Sequence, residues 1–519
     1  QFGIRSLEFS PEFGFKLNGK KIFLQGNANH HDLGALGATC YDKAIERMML
    51  QLKSFGYNCI RCSHNPYSDS FARIADRVGI LVVDELTDKW SDNDYWGGRQ
   101  PFTHIWHKLI TEWIKRDRNR PSIILWSLGN ELQIREGWAG FEGTNDWGIT
   151  TYNIFNQLVK RWDHTRLTTV AMFPARAGAI TRHDKEFNDY LVPPELACAT
   201  EVASFNYQSD KYDAYLKYRP DLILFQSEAE TSNLLQPYYN MDKERMVGIA
   251  YWGSVEYWGE SNKWPKKGWN YSFFEHTMRP YPQAYLIKTA FMPEIPEVHI
   301  GVVDAAGAES VSWNDVIVGR MALNECWNHT PGSRRSLFTF TNAHSVELLV
   351  NGQSMGIQKN DTTRANLRNM IYWKDVPYGN GGSVVAIARD KSGKEVARHR
   401  IETAGKAVAL RIEAETPTDW KADGMDLQYI NVTVIDKKGR PVWDYNEPLT
   451  LQMEGAARLV ALDNGDHYTD ELFHGITSKR MYQGRMQIIL RSDQEAGNVT
   501  VKISSAGLKG TLRLKTIKE

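Results

Sequence analysis

Short apolar runs alternate with helical segments along the first half of the chain. The eight runs, each followed by a polar loop, are Ile22–Gln25, Cys59–Cys62, Ile80–Asp84, Ile123–Ser127, Leu167–Met172, Val202–Asn206, Leu222–Gln226 and Val247–Tyr251. Between them lie stretches with helical spacing; in the stretch from 43 to 55, one face carries Ile45, Met48, Met49, Leu52 and Phe55. This alternation predicts parallel strands joined by crossover helices.

Eight β/α units in about 250 residues match the (β/α)8 barrel in count and length. A doubly wound open sheet is the alternative, although no G-x-G-x-x-G pattern follows the first run. We therefore predict an α/β fold, a TIM barrel that spans residues 22–296.

The hydrophobic pattern changes after Pro293-Glu294-Ile295-Pro296. Short alternating strands separated by Gly, Asn and Asp turns follow, which is typical of β-sandwiches. A break near residues 404–406 separates two stretches of about 110 residues, the usual size of one immunoglobulin-like domain. We predict two all-β immunoglobulin-like sandwiches over residues 297–404 and 405–519, and interpret residues 1–21 as the remnant of a preceding β-domain.

Composition narrows the possible partners. Lys plus Arg and Asp plus Glu both total 62, so the formal net charge is zero, which argues against nucleic acid or an anionic membrane as partner. The apolar fraction of 42% is that of a globular protein, and no run of 18 apolar residues occurs. The 17 Trp and 23 Tyr exceed the needs of an ordinary core, and such rings also stack on sugars or bases. The five cysteines give no disulfide framework.

Polar side chains gather where the apolar runs end, which in a barrel of this kind is the location of the active site. They are Asn27, Asn29, His30, His31 and Asp32; Arg61, His64 and Asn65; Asp84 and Glu85; Asn130 and Glu131; Asn206 and Tyr207; Glu228 and Glu230; and Trp252, Glu256 and Trp258. We expect carboxylates, amides, histidines and tryptophans to converge at one end of the barrel.

Two of these carboxylates are sufficient for retaining glycoside hydrolysis. Glu131 follows the fourth strand and Glu228 the seventh, so one can protonate the leaving oxygen while the other attacks the anomeric carbon. Their protonation states must differ, because the acid has to be neutral and the nucleophile charged. Tyr207 is expected to donate a hydrogen bond to Glu228, and Asn130 to bind a sugar hydroxyl beside the reacting carbon.

Several motifs resemble glycoside hydrolase family 2, the β-galactosidase and β-glucuronidase family. Residues 116–131, RDRNRPSIILWSLGNE, resemble its acid/base signature, and residues 225–228, FQSE, resemble its nucleophile strand. Residues 30–38, HHDLGALGA, and 61–66, RCSHNP, resemble motifs that line the sugar subsite, and residues 251–260 resemble the eighth strand and its loop. The similarity is dense over residues 1–290 and weaker through the sandwiches.

The resemblance implies a role for each candidate residue. Glu131 corresponds to the general acid/base and Glu228 to the nucleophile. The candidates for binding the sugar are His30, His31, Arg61, His64, Asn130, Tyr207, Trp90, Trp252 and Trp258. No cofactor is implied.

Departures from the family pattern matter as well. Members usually carry two β-domains before the barrel, so we expect such N-terminal domains to be partners of this chain. The magnesium-dependent β-galactosidases place an acid and a His after the third strand, whereas Asp84–Trp90 contains no His, so no metal is implied. Glucuronidases share an Asn-x-Lys that clamps the substrate carboxylate; here Asn262 and Lys263 are adjacent, followed by Lys266 and Lys267. A neutral sugar is favoured.

Several alternatives stay open. Glu230 points to the same side of an ideal strand as Glu228, so the nucleophile assignment could shift by two residues. His30 and His31 could be core residues or zinc ligands, and Arg61 could serve only to neutralise buried carboxylates. The lysines near residue 265 fit a solvated loop as well as an acidic substrate, and each tryptophan could simply pack.

The sequence therefore predicts an exo-acting retaining β-glycosidase, with β-galactosidase activity preferred and β-glucuronidase or β-mannosidase as alternatives. A glycan-binding protein with weak catalysis is the hypothesis from a different class. The partner is a carbohydrate, and a homo-oligomer is an open option. The family's glycan-degrading bacterial members suggest a periplasmic or secreted protein, although the first residues contain no signal segment.

Overall fold

The computed structural model of the chain describes residues 3–90, 101–132, 148–173, 193–261, 264–304, 309–313 and 316–518. The chain divides into two compact units. The first comprises Gln1–His31, Met49–Ser254 and Ser312–Val318; the second comprises Asp32–Met48, Val255–Val311 and Gly319–Glu519. Within the described residues, no helix is both long and apolar enough to span a membrane.

A closed barrel of eight parallel strands forms the first unit. Its strands are β4 Leu24–Asn29, β5 Cys59–Cys62, β6 Leu81–Glu85, β7 Ile123–Asn130, β8 Leu167–Met172, β9 Val202–Asn206, β10 Leu224–Ala229 and β11 Gly248–Trp252. They pair in chain order, and β11 pairs with β4 to close the ring. The predicted TIM barrel is confirmed, because each apolar run became one strand of the ring.

Helices separate most of these strands. In chain order they are α1 Asp42–Ser54, α2 Asp69–Val78, α3 Phe102–Asp117, α4 Ile149–Trp162, α5 Glu195–Ala199, α6 Tyr212–Tyr218 and α7 Gln236–Asn240, with two single 3₁₀ turns at Gly34–Leu36 and Ser209–Lys211. Helix α2 has clear end signals: the Ser68 side chain accepts a hydrogen bond from the Phe71 amide, and Gly79 adopts a left-handed conformation after the last turn. The apolar face predicted for α1 is buried.

Three strands extend three or four residues further than their apolar runs. Strand β4 continues to Asn29, β7 to Asn130 and β10 to Ala229, whereas the sequence predicted ends at Gln25, Ser127 and Gln226. The apolar runs stop earlier because polar residues, among them Asn27, Asn29, Asn130, Ser227 and Glu228, occupy the last part of these strands. The ends of these strands therefore carry candidate site residues, and the pairing register of β7 and β10 shifts there.

A small antiparallel sheet precedes the barrel, with strands β1 Leu7–Ser10, β2 Gly14–Leu17 and β3 Lys20–Lys21. Leu17 pairs with Lys20 across a two-residue turn. Both turn residues have positive φ, 52° for Asn18 and 74° for Gly19, as a type I′ hairpin requires.

Two pairs of four-stranded antiparallel sheets follow in the second unit, after the short strands β12 Tyr257–Trp258 and β13 Gly268–Trp269 and helix α8 Ala284–Phe291. In the first pair, one sheet has β17 Leu323–Asn324, β14 Val298–Val303, β18 Arg334–Thr341 and β21 Met370–Pro377. The other has β20 Gln353–Lys359, β19 Ser345–Val350, β22 Ser383–Arg389 and β23 Glu395–Glu402. Strands β15 Glu309–Trp313 and β16 Val316–Arg320 form a separate two-stranded sheet.

The second pair of sheets has the same layout. One sheet contains β24 Ala407–Ala414, β25 Leu427–Asp436, β29 Arg485–Ser492 and β27 Ala457–Asp463; the other contains β28 Ser478–Arg480, β26 Pro448–Gly455, β30 Asn498–Ser505 and β31 Leu508–Lys515. Buried residues from both sheets of each pair form one core, centred on Trp327 in the first and on Trp420 in the second. The predicted all-β sandwiches after the barrel are confirmed.

Candidate active site

Arg61 lies at the centre of the polar network inside the barrel. Its guanidinium is fully buried on β5 and donates from Nη1 to Oε1 of Glu228 at 2.7 Å. Nε and Nη2 donate to Oε2 of Glu85 at 3.0 and 2.7 Å, and Nη2 also reaches Oδ1 of Asn130 at 2.9 Å. Burial alone would lower the pKa of Arg61, but the charges of Glu85 and Glu228 outweigh it and raise the pKa. Arg61 therefore remains charged and fixes three other groups.

Glu228 lies near the end of β10 with two hydrogen-bond donors at its carboxyl group. One carboxylate oxygen accepts a hydrogen bond from Arg61, and the other accepts a hydrogen bond from the Tyr207 hydroxyl at 2.7 Å. The side chain of Glu228 is only 4% exposed. Both partners donate to the charged form, and donors arranged in this way stabilise a carboxylate inside a protein. Glu228 thus has the environment that a carboxylate nucleophile needs.

Glu131 is in a different environment. It follows β7 and is buried, and its Oε1 accepts a hydrogen bond from Nδ2 of Asn206 at 3.1 Å. Burial and the charge of Glu228 raise the pKa of Glu131 to about 8, against the opposing effects of the Lys89 charge and the Asn206 hydrogen bond. A carboxyl group with such a pKa holds its proton at neutral pH and can act as a general acid.

Glu85 is the second anchor of Arg61. Its Oε1 lies 2.6 Å from Nδ1 of His64, and its Oε2 accepts the Ser127 hydroxyl at 2.7 Å. Burial would raise the pKa of Glu85, but the charges of Arg61 and His64 together with these hydrogen bonds lower it. Glu85 is fully buried, so it positions its neighbours rather than meeting the substrate itself.

Asn130 connects the two halves of the network. Its Oδ1 accepts from Arg61 and from Asn206, both at 2.9 Å, and its Nδ2 donates to Oδ1 of Asp88 at 3.0 Å. The ammonium of Lys89 lies 2.6 Å from the same Asp88 oxygen. Asn130 and Glu131 are consecutive, so this network also orients the candidate general acid.

An aromatic surface borders the carboxylates. The ring of His64 stacks on Trp252, with centroids 5.3 Å apart and an interplanar angle of 9°. His30 meets both rings edge-on, at 5.6 Å from His64 and 5.2 Å from Trp252. His30 and His64 are partly exposed and lie beside the indole of Trp252. Such a surface suits the mixed polar and apolar faces of a sugar ring.

The remaining candidates lie in other settings. His31 stacks on Tyr67 with centroids 4.6 Å apart, and Trp90 is buried with its indole N–H donating to the Leu128 carbonyl at 2.8 Å. Trp258 belongs to the second unit, where its indole N–H donates to the Gly34 carbonyl at 2.7 Å and its ring packs against His276. The three side chains make packing contacts there, and their predicted roles in binding the sugar stay predictions.

Glu230, the alternative nucleophile, follows the last residue of β10. Its carboxylate accepts a hydrogen bond from the side-chain amide of Asn233. Burial raises the pKa of Glu230, which favours its neutral form. Glu228, which is bonded to Arg61 and Tyr207, is therefore the better candidate of the two.

The backbone has left-handed conformations at two site residues. Glu131 has a φ of 50° and Tyr207 a φ of 59°. Residues with side chains rarely adopt this conformation, and in proteins it often marks functional positions. Backbone hydrogen bonds from Glu131 to the Ala171 carbonyl at 2.7 Å and from Tyr207 to the Glu228 carbonyl at 2.8 Å hold the two residues in place.

Gly129 leaves room for the indole of Trp90, which leads to a first prediction. A Cβ atom at residue 129 would lie 2.7 Å from Nε1 of Trp90 and 3.1 Å from Leu132. We expect Gly129→Ala to destabilise the fold by about 1–3 kcal/mol, the usual cost of overpacking, and to lower kcat by displacing Glu131. Thermal unfolding and initial rates measure the two effects. Gly405→Ala is the control, since its Cβ would meet its nearest atom at 3.4 Å and should leave both unchanged.

Sequence reasoning missed part of this network. Glu85 and Asn206 were noted only as polar strand ends, and Asp88 and Lys89 were not singled out. A signal existed for Glu85 and Asn206, since each is the last residue of its strand. Asp88 and Lys89 lie in a loop, where no periodicity indicates the direction of a side chain. Asn262 and Lys263, the possible carboxylate clamp, lie outside the described residues.

Comparisons with known proteins identify the family of the barrel and of the last sandwich. Residues 12–245 match the family model described as the TIM barrel domain of glycosyl hydrolases family 2. Residues 410–512 match C-terminal domain 5 of glycoside hydrolase family 2, and residues 332–397 match a domain of unknown function. The two family 2 matches cover the barrel and the last sandwich.

Individual relatives extend over nearly the whole chain. Beta-galactosidase BoGH2A of Bacteroides ovatus is 27% identical over 98% of this chain and 63% of its own length. A protein of Formosa agariphila whose name assigns it provisionally to the beta-glucuronidases is 44% identical over 99% of this chain and 50% of its own length. The chain thus spans about half to two thirds of the length of these relatives.

A crystal structure of a glycosyl hydrolase family 2 member from Bacteroides cellulosilyticus superposes with a TM-score of 0.86. It is 28% identical and is matched over 100% of this chain and 65% of its own. The barrel, the C-terminal domain and these relatives all lead to the same assignment. The chain belongs to glycoside hydrolase family 2.

Proposed function

We propose that this glycoside hydrolase is a retaining, exo-acting β-galactosidase that works by double displacement, with Glu228 as nucleophile and Glu131 as general acid/base. The observation that carries the proposal is the contrast between the two carboxyl groups. Glu228 accepts from Arg61 and Tyr207, whereas the pKa of Glu131 is raised to about 8 by burial and by the Glu228 charge. Retaining hydrolysis needs one ionised and one protonated carboxyl group at the same sugar.

In the first step, an oxygen of Glu228 forms a bond to the anomeric carbon while the bond from that carbon to the glycosidic oxygen breaks. The leaving oxygen takes the proton of Glu131, so the aglycone departs as a neutral alcohol. The nucleophilic oxygen gives up its hydrogen bond as its charge disappears. Arg61 keeps its bonds to Glu85 and therefore stays in position.

In the second step, Glu131 is ionised and takes a proton from water. The hydroxyl attacks the anomeric carbon, the bond to Glu228 breaks, and the sugar leaves with its original configuration. Loss of the Glu228 charge in the covalent intermediate removes the main electrostatic influence that kept Glu131 protonated, after burial itself. The same pair can thus exchange roles between the two steps.

The charges of the site favour a neutral sugar. Glu85, Glu228 and Asp88 are carboxylates, and the two cations among them are already engaged, Arg61 by two of the carboxylates and Lys89 by the third. A carboxylate on the substrate would meet this excess of negative charge, and neither Arg61 nor Lys89 is free to balance it. This argument supports a galactoside over a glucuronide.

A panel of nitrophenyl β-glycosides tests the substrate. We expect the galactoside to turn over at least about 100-fold faster than the glucuronide and the mannoside, because a site built to bind particular hydroxyl groups discriminates strongly. β-Glucuronidase is the second candidate, favoured by the 44% identical relative that bears that name. Faster glucuronide turnover that Lys263→Ala abolishes would replace the first proposal by the second.

The pH profile tests the role of Glu131. The first step needs the protonated form, so kcat/KM should fall as pH rises through about 8. In Glu131→Gln this alkaline limb should disappear, and kcat/KM for an alkyl galactoside should drop by about 10²–10⁴-fold. A dinitrophenyl galactoside, whose leaving group needs no proton, should keep nearly its original kcat/KM. An unchanged alkaline limb in the variant would assign the acid to another residue.

A further inference from the structure

Three potential metal ligands meet in the second unit, outside the barrel site. Glu256, His276 and His467, here called the Glu256 cluster, are only 1%, 4% and 3% exposed. Oε2 of Glu256 lies 3.1 Å from Nδ1 of His276 and 3.0 Å from Nε2 of His467. Donor atoms around one tetrahedral zinc ion are separated by roughly 3.3 Å, given metal–nitrogen and metal–oxygen distances of about 2.0–2.2 Å. The three donor atoms all lie within 4.8 Å of one another, so one ion could contact all of them.

The groups behind the cluster match those that orient metal ligands. Nε2 of His276, the nitrogen that faces away from Glu256, lies 2.9 Å from Oδ1 of Asp463. The other oxygen of Glu256, Oε1, accepts the Tyr281 hydroxyl at 2.6 Å. In metal sites, a ligating imidazole usually donates its second N–H to a carboxylate, and ligating carboxylates are hydrogen-bonded in turn. Both conditions are met here.

His467 separates the metal hypothesis from a metal-free ion pair. A protonated His276 between Glu256 and Asp463 would explain those three side chains without any ion. His467 adds a second imidazole to the same carboxylate oxygen: its Nε2 lies 3.0 Å from Oε2 of Glu256, and its Nδ1 makes no hydrogen bond with a described residue. An ion pair needs only one imidazole on that oxygen, whereas a metal ion would be bound by all three groups at once.

We propose that Glu256, His276 and His467 bind a divalent transition-metal ion of the zinc class. Two imidazoles and one carboxylate are ligands that zinc accepts, whereas magnesium and calcium prefer oxygen alone. One negative ligand and two neutral ones leave the complex with a single positive charge. Asp463, hydrogen-bonded to His276, would balance it.

The surroundings support an ion with one open coordination position. Glu256 and His467 line a cavity of about 120 Å³ that also contains Arg279, Arg320 and Asp466. This volume can hold several waters, so a water can complete a four-coordinate sphere. On another side the indole of Trp258 lies with its centroid 4.6 Å from His276 and 4.9 Å from His467. An apolar cover of this kind limits exchange of the ligands with solvent.

Bound metal would join two segments that are far apart in the chain. Glu256 and His276 come from the segment that follows β11, and His467 comes from a loop after β27 of the last sandwich. Because an ion that binds only the folded protein stabilises it, Zn²⁺ should raise the unfolding temperature in proportion to its occupancy. The predicted effect concerns stability rather than the reaction in the barrel.

The first experiment measures how many zinc ions each chain binds and how much the bound zinc raises the Tm of the protein. Protein stripped with a chelator and incubated with Zn²⁺ should retain about one ion per chain after gel filtration, and its Tm should rise. His467→Asn should lose both effects. His399→Ala is the matched control, because His399 belongs to a second group with His299 and Glu325 where its Nδ1 already accepts from the Ile300 amide at 3.1 Å. Zinc lost in His399→Ala but kept in His467→Asn would overturn the assignment.

A ligand exchange identifies the coordinating residue directly. In His467→Cys, Co²⁺ should produce a thiolate-to-cobalt charge-transfer band that the unchanged protein lacks, because the band arises only when the new sulfur coordinates the ion. The far-UV circular dichroism of the variant shows whether it is folded. A folded variant without the band, or wild-type protein that retains no zinc or cobalt, would refute the site and leave the cluster as a buried ion pair.

Discussion

Replacing Glu228 by glycine should reduce kcat/KM for a nitrophenyl galactoside by at least about 10⁴-fold, because the variant lacks the group that forms the covalent bond. Azide should restore turnover, since the small anion fits the space of the missing carboxylate, and the product should be the α-galactosyl azide. The anomeric configuration of the product shows from which face azide attacked the anomeric carbon. Nuclear magnetic resonance of the product determines this configuration.

The matched variant is Glu131→Ala. There the glycosyl-enzyme still forms from a substrate with a good leaving group, and azide takes the place of water on the opposite face. The expected product is the β-galactosyl azide, so the two variants give opposite anomers. The same anomer from both, or azide rescue of Glu230→Gly instead of Glu228→Gly, would contradict the assignment of the nucleophile.

Replacing Arg61 by methionine should be the most damaging change for the fold of the barrel. The guanidinium is fully buried between Glu85 and Glu228, and its removal takes away the positive charge that the two buried carboxylates share. Breaking a buried ion pair in this way costs about 3–5 kcal/mol of unfolding free energy. Activity should also be lost, since Glu228 and Asn130 lose a donor that positions them. Urea denaturation of the variant measures the change.

A double variant separates the two effects. Arg61→Met combined with Glu85→Gln restores part of the charge balance, so stability should recover partly while activity should not. Arg219→Met is the control, because the Arg219–Asp221 pair is largely exposed and such pairs contribute about 1 kcal/mol or less. A double variant no more stable than Arg61→Met would show that the loss comes from packing rather than from uncompensated charge.

Arg61 illustrates how far sequence reasoning reaches. The sequence predicts that Arg61 lies near the end of β5. It also allows both of its possible roles, which are neutralising carboxylates and binding sugar. The choice between them depends on which carboxylates the ring brings together. Glu85 comes from the neighbouring strand, but Glu228 comes from a strand distant in sequence, and only closure of the barrel places both within 3 Å of one guanidinium.

Trp258 illustrates the opposite case. Its position after the eighth strand matched a sugar-binding tryptophan, yet its described contacts are with Gly34, His276 and His467 in the second unit. The local sequence pattern does not indicate these contacts of Trp258, because side chains in irregular loops have no periodicity that fixes their direction.

The sequence by itself determined the eight-stranded barrel, the two sandwiches and the pair of candidate catalytic carboxylates. It could do so because apolar periodicity follows secondary structure, and because the ends of parallel strands share one face of a barrel. Only the tertiary structure decided that Glu131 can keep its proton at neutral pH and which histidines gather around Glu256. Those properties depend on burial, on neighbouring charge and on contacts between residues far apart in the chain, and a linear pattern contains none of these distances.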